Sequence, residues 1–163
     1  EEIECVDQSR TTSDSNQSPK TSLLNLFYHG FKNINSEPMS FDQVRKIADD
    51  LGIKDFDVLD LDQYCKLAKN FNEPENCVIF IHWPGTKYQG HYVGCFRQPD
   101  NVLNYQDSFG SANKFPNQLK KTGRKFKINK TKYQAYSANN CGYLALLHVC
   151  THDAIDPSIQ FKN

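Results

Sequence analysis

Cys141 has the surroundings of a nucleophilic thiol. It follows the small and polar residues 137–140 and opens an apolar run, Cys141–Thr151, that has the period of a helix. A thiol at the start of a helix faces unpaired backbone N–H groups and the positive end of the helix dipole, and both favour the thiolate. Gly142 places no side chain beside the sulfur, which leaves room for a substrate carbonyl. These features predict covalent attack on a carbonyl by Cys141.

A histidine and an aspartate complete this chemistry. His91 begins a predicted strand, and Asp107 directly follows the next predicted strand, Val102–Gln106. If the two strands pair antiparallel, both side chains emerge at the same edge of the sheet. We therefore expect Asp107 to accept a hydrogen bond from His91 Nδ1–H, and the other imidazole nitrogen to take the proton of Cys141.

Three further assignments follow from position. Gln134 lies seven residues before Cys141 and offers an amide N–H to a developing oxyanion, alongside the backbone N–H of Cys141. Tyr92, next to His91, is assigned with Gly142 to substrate binding.

Each of these residues also has a purely structural interpretation. Cys141 can be the first buried residue of a core helix, His91 a structural strand residue, and Asp107 a turn residue before Ser-Phe-Gly. Gln134 can be a solvent-facing strand residue. The functional interpretation depends on the four occurring together.

The motifs that carry these residues resemble one family of proteases. GHYVGCF, then YQDSFG, then Gln-x6-Cys-Gly-Tyr occur in the order found in the adenovirus maturation protease (adenain) and its relatives in viruses and virus-like transposons. The proteases that process SUMO and other ubiquitin-like proteins share this order. The resemblance covers residues 38–150. Tyr92 departs from it, because the family usually has Trp there, and Asp107 stands where adenain has Glu.

The resemblance implies a cysteine endopeptidase with Cys141, His91 and Asp107 as its triad and Gln134 at the oxyanion hole. It implies an acyl-enzyme thioester, no metal or organic cofactor, and a viral polyprotein or precursor cut after small residues. A deubiquitinase or deSUMOylase-type isopeptidase, which acts on ubiquitin-like proteins, is the alternative within this class.

Two rival interpretations differ in kind. A papain-like order would place the nucleophile upstream of His91, but Cys5 lies in a polar tail, and Cys65 and Cys77 lack a small-residue context at a helix start. A non-catalytic binding module on the same fold would show no unusually reactive cysteine.

Periodicity and turn residues predict an α+β fold, which the resemblance narrows to a cysteine-protease fold with a central antiparallel sheet packed against the Cys141 helix. Ser40 and Gln43 have the spacing of a capping box, and the helix they open ends at Gly52. A short helix is expected to begin at Leu23, and Asp55–Asn70 to be a loop followed by one helical turn. The predicted strands are Asn76–Trp83, His91–Arg97, Val102–Gln106 and Lys132–Tyr136, and a polar helix is predicted over Ala112–Thr122.

The length and composition indicate one domain, residues 23–163, preceded by a flexible polar tail, residues 1–22. The 19 basic and 19 acidic residues balance, so no net charge attracts the protein to nucleic acid or to a membrane. No signal peptide and no membrane span are expected. The six cysteines are expected to be reduced, which suggests an intracellular protein, and the family implies the host cytoplasm or nucleus.

One segment is strongly basic. Seven lysine and arginine residues crowd into Lys120–Lys132, whereas Asp42–Asp62 is acidic. A solvated loop or edge strand explains this cluster. A docking surface for nucleic acid or for an acidic partner is the functional alternative.

The role of Gln134 is tested by Gln134→Ala. A contact that forms only in the transition state should lower kcat by about 10²–10³-fold with little change in KM. Steady-state kinetics on the purified variant measure both constants. A kcat within a few-fold of wild type would indicate a solvent-facing strand residue instead.

Overall fold

The computed structural model describes Asn25 and residues 38–83, 90–132 and 140–152. These residues form one mixed α+β unit around a five-stranded sheet. The predicted tail, the strand beyond Lys132, Gln134 and most of the helix expected at Leu23 lie outside the described residues; Asn25 is helical, and Lys132 is not in a strand.

The order of the strands in the sheet follows their order in the chain. They are β1 Phe56–Asp60, β2 Asn76–His82, β3 Gly90–Arg97, β4 Leu103–Gln106 and β5 Phe126–Ile128. The central pairs β2–β3 and β3–β4 are antiparallel, but the outer pairs β1–β2 and β4–β5 are parallel. The sheet is therefore mixed, and the prediction of an antiparallel sheet is right only for its three central strands.

Besides the helical residue Asn25, four α-helices lie in the described part of the chain: α1 Phe41–Asp50, α2 Leu61–Lys69, α3 Asn117–Lys120 and α4 Cys141–Thr151. A 3₁₀ turn, Gly110–Ala112, precedes α3. The single polar helix predicted over Ala112–Thr122 is wrong, because Pro116 interrupts that segment and only one helical turn follows it.

Two of the four helices, α1 and α2, begin where capping side chains satisfy their first N–H groups. The capping box predicted at Ser40 is confirmed, with Gln43 N–H donating to Ser40 Oγ at 3.2 Å. Asp60 and Gln63 form a second box at the start of α2. This box joins β1 directly to α2, so Asp55–Asn70 is a strand and a helix rather than a loop and a turn.

The sheet is buried on both faces. Alternate residues of β2 point in opposite directions: Val78 packs with α1 and α4, and Ile79 packs with α2 and α3. Sheets covered on both faces have strands that are apolar runs rather than alternating patterns. The result is a three-layer α/sheet/α arrangement in which α4 covers one face.

The approach of α4 to the sheet is unusually close at Gly94 on β3. A Cβ at this position would lie 2.8 Å from the carbonyl oxygen of Ala145 in α4. Only glycine allows this contact without displacing the helix.

A buried ion network holds the opposite end of the sheet. Glu73, 4% exposed, accepts from Arg124 at 2.6 Å and from Arg97 at 2.8 Å. Arg124 also donates to the carbonyl oxygen of Ala68 at 2.9 Å, which ties the end of α2 to the segment before β5. Burial alone would raise the pKa of Glu73, but the hydrogen bonds from the two guanidinium groups outweigh it and lower the pKa.

This network predicts that Glu73→Gln is strongly destabilising. It leaves buried guanidinium charge without a counter-charge, which typically costs about 3–5 kcal/mol. Because the folded-state pKa of Glu73 is lowered, the network stabilises the fold above the pKa of the unfolded carboxyl, and its contribution is lost as pH falls through the folded-state pKa. Urea unfolding at neutral and acidic pH measures both effects. Glu75→Gln is the matched control, and equal losses from the two variants would contradict this role.

Candidate active site

Cys141, His91 and Asp107 meet at one edge of the sheet. His91 lies at the start of β3, Asp107 directly follows β4, and Cys141 is the first residue of α4. Because β3 and β4 are antiparallel, the start of one lies beside the end of the other. His91 and Asp107 are 2% and 4% exposed, and His91 Nε2 lies 2.8 Å from Asp107 Oδ1.

The imidazole nitrogen that contacts Asp107 is not the predicted one. The sequence predicted Nδ1 at the carboxylate, whereas the structure places Nε2 there. Cys141 hydrogen-bonds the same imidazole, so Nδ1 is the nitrogen left for the sulfur. The roles of the three residues are unchanged, but the ring is turned relative to the expectation.

Hydrogen bonds fix the Asp107 carboxylate. Besides His91, Oδ1 accepts from Phe109 N–H at 2.8 Å, and Oδ2 accepts from Asn113 Nδ2 at 3.1 Å. These donors restrict the orientation of the carboxylate, with Oδ1 directed at His91.

Asn129 holds the backbone of the same residue. Its Oδ1 accepts from Asp107 N–H at 2.8 Å, and its Nδ2 donates to the Asp107 carbonyl at 2.7 Å. Asn129 follows Ile128, the last residue of β5 and the partner of Tyr105 on β4. Its carboxamide thus continues the β4–β5 ladder by one step and fixes Asp107 at the end of the sheet.

The environment of Cys141 favours its thiolate. Burial would raise the pKa of the thiol, but the hydrogen bond and charge of His91 and the N–H groups of Tyr92 and Gly142 outweigh it, so the pKa is lowered. Tyr92 N–H lies 3.5 Å from the sulfur. The prediction of a thiolate at the start of a helix therefore agrees with the geometry, with two N–H groups and the imidazole as the sources of stabilisation.

The other described cysteines lack this activation. Cys65, Cys77 and Cys95 are free thiols like Cys141. Burial raises the pKa of Cys65 to about 11 and that of Cys95 to about 12, and burial likewise raises the pKa of Cys77. Cys150 is disulfide-bonded, so the expectation of six reduced cysteines is wrong, and the intracellular location inferred from it stays a prediction.

The same contacts act on His91 in the opposite sense. Burial lowers the pKa of the imidazole, but the hydrogen bonds to Asp107 and Cys141 outweigh it and raise the pKa to about 9. The two shifts therefore both favour a thiolate beside an imidazolium.

Two aromatic rings that the sequence analysis did not assign cover the imidazole. The ring centroids of Trp83 and Phe109 lie 5.1 and 4.7 Å from that of His91, with interplanar angles of 11° and 19°. Phe109 belongs to the YQDSFG motif, and Trp83 directly follows β2. Their positions near the site residues in the sequence were the signal that could have identified them. Stacking against these rings restricts rotation of the imidazole.

Tyr92 and Gly142 lie in the packing between β3 and α4. The Tyr92 ring contacts Phe41 and Phe80, and its hydroxyl donates to the Met39 carbonyl at 2.8 Å. A Cβ at Gly142 would lie 2.6 Å from Met39 Cε and 3.2 Å from the Tyr92 ring, so a larger residue there would require the flexible end of Met39 to shift. The substrate-binding role assigned to both residues stays a prediction; the groups that they direct at the sulfur are their N–H groups.

Gln134 lies outside the described residues, so its oxyanion role, shared with the backbone N–H of Cys141, stays a prediction. No group of three or more His, Cys, Asp or Glu side chains within the described ranges has the arrangement of a metal site. No helix in this part of the chain is both long enough and apolar enough to cross a bilayer.

The basic segment is less uniform than its sequence suggests. The Arg124 side chain is 1% exposed and bound to Glu73, so it does not belong to a docking surface. Its exposed members are Lys120, Lys121, Lys125, Lys127 and Lys130. Binding of nucleic acid or an acidic partner at Lys120–Lys132 stays a prediction that rests on these lysines and the partly exposed Lys132.

Comparison of the chain with protein-family models gives no match, and comparison with curated proteins gives none either.

Proposed function

We propose that this protein is a cysteine peptidase that hydrolyses peptide bonds through an acyl-enzyme thioester. The observation that carries the proposal is the chain of contacts from Cys141 through His91 to Asp107. Its two titrating members have pKa values displaced in opposite directions, toward thiolate and imidazolium. Pairs of groups with pKa values pushed apart are the usual sign of a nucleophile with its acid–base partner.

The contacts suggest how the reaction proceeds. The Cys141 thiolate attacks the peptide carbonyl carbon, and the electron pair of the C=O bond moves to the oxygen. As that oxyanion collapses, the C–N bond breaks and the His91 imidazolium gives its proton to the leaving amine. His91, now neutral, takes a proton from the water that attacks the thioester, and the acid product leaves as the sulfur returns to the thiolate.

Asp107 and the aromatic cover act on His91 during this cycle. Asp107 stabilises the imidazolium and holds Nδ1 toward the sulfur, while Trp83 and Phe109 keep the ring in its plane. The buried positions of His91 and Asp107 strengthen their attraction, because water screens it little.

The motif resemblance supports the viral and virus-like branch of adenain-related proteases, with a polyprotein or precursor cut after small residues as the substrate. The isopeptidase alternative uses the same three residues. Mass spectrometry of the products from a flanking polyprotein, and separately from ubiquitin-like precursors, distinguishes the two substrates.

The first test is the reactivity of the thiols. Near pH 6 an ordinary thiol with a pKa of about 8.5 is almost wholly protonated, so iodoacetamide should label Cys141 well ahead of Cys65. Peptide mapping of the alkylated protein measures this directly. Cys65→Ser should leave the labelling rate unchanged, whereas His91→Ala should lower it. Labelling of Cys141 no faster than of Cys65 would favour the non-catalytic binding module.

The second test is the pH dependence of turnover. We expect kcat/KM to rise as Cys141 ionises and to fall through about pH 9, where His91 loses the proton that the leaving amine requires. Asp107→Asn should lower kcat/KM by less than the ~10⁴-fold known for serine triads. It should also move the basic limb to lower pH, because the imidazolium loses its counter-charge. A wild-type rate and an unmoved limb in Asp107→Asn would show that another group orients His91.

A further inference from the structure

The outer oxygen of the Asp107 carboxylate has a partner outside the assigned site. His91 Nε2 and Phe109 N–H both use Oδ1, whereas Oδ2 accepts from Asn113 Nδ2 at 3.1 Å. On the basis of the proposed function, we propose that Asn113 is a positioning residue. It fixes the plane of the Asp107 carboxylate from within a solvent-open pocket, and a small carboxamide bound in that pocket can replace it.

The carboxylate needs such a partner because its own torsional preference is weak. The terminal torsion of an aspartate is broad, so the rotamer of Asp107 alone does not keep Oδ1 directed at His91. A donor on each oxygen restricts this rotation. Asn113 is suited to the task because its amide donates without adding a positive charge that would compete with the imidazolium for the carboxylate.

Local backbone structure places Asn113 at this position. The carbonyl of Asp107 accepts from Gly110 N–H at 2.8 Å, and the carbonyl of Gly110 accepts from Asn113 N–H at 3.2 Å. These two turns return the chain toward Asp107 within six residues. The Asn113 side chain thus reaches the carboxylate oxygen that His91 does not use.

The pocket beside this contact makes it accessible to small molecules. A cavity of about 250 Å³ is lined by Asp107, Asn113 and Asn129, with Phe115 and Ile128 on its apolar wall. If the side chain at position 113 is shortened, acetamide can occupy the vacated space with its NH₂ group toward Oδ2 and its methyl group against that wall. The chemical class of ligand that the pocket then accepts is a small neutral carboxamide.

The test compares two variants of the full chain. Asn113→Ala removes the donor and opens space, and Asn113→Leu removes the donor but fills the space. In both we expect about a ten-fold loss of kcat/KM and of the rate at which Cys141 reacts with a pyridyl disulfide near pH 6, where ordinary thiols with a pKa of about 8.5 are protonated. Acetamide should restore both rates in Asn113→Ala but not in Asn113→Leu, and the basic limb of the pH profile should move to lower pH in both variants.

Asn104→Ala is the matched control, since the Asn104 side chain on β4 donates to Gln98 at 3.1 Å, away from the site. It should leave both rates and the pH profile unchanged. Wild-type rates with an unmoved limb in Asn113→Ala, or equal effects of acetamide on the Ala and Leu variants, would overturn the proposal. The disulfide reaction needs no substrate, so a chain that cleaves no peptide contradicts the proposed function and leaves the test of Asn113 intact. Circular dichroism establishes that each variant is folded.

Discussion

The distance between α4 and β3 is the constraint on which the candidate site depends. The candidate nucleophile, Cys141, lies one helical turn before Ala145, and His91 lies three residues before Gly94. Ala145 and Gly94 are the residues at which helix and strand meet. Both elements are rigid over so short a length. The close contact between them therefore also determines the distance between the sulfur and the imidazole. A side chain at position 94 would move the helix outward and separate them. Packing in the core thus determines whether Cys141 and His91 can meet at the edge of the sheet.

The local patterns in the sequence predicted the three central strands and α4 but not the two edge strands of the sheet. Strands β2, β3 and β4 and helix α4 have strong apolar runs with clear turn residues between them, and the structure places them within one residue of the prediction. Strand β1 has acidic residues at Asp57 and Asp60, and β5 is only three residues long. Both join the sheet as parallel edge strands, and parallel pairing depends on crossover connections that no short window of sequence encodes.

The candidate site, like the fold, was predicted only in part. Residue type and order identified the cysteine, the histidine and the aspartate, because each supplies a group that few other side chains can replace. The ring nitrogen that faces the carboxylate was assigned incorrectly, since it depends on a side-chain torsion set by Trp83 and Phe109. Asn113 and Asn129 were not identified because an asparagine near a turn is common in any protein. Only their hydrogen-bond distances in the structure show that both asparagines fix Asp107.

Two buried ionic clusters lie within the described ranges, and added salt affects them less than it affects the surface charges. The glutamate–arginine network and the aspartate–imidazolium pair are both enclosed by protein, where counterions in solution do not enter. The lysines near β5 lie in water, where charges more than about 8 Å apart are screened at physiological ionic strength. Added salt therefore weakens any attraction exerted by the lysines while it leaves the pairing of His91 with Asp107 nearly unchanged. A change in ionic strength thus distinguishes an effect of the lysines from an effect of the candidate site.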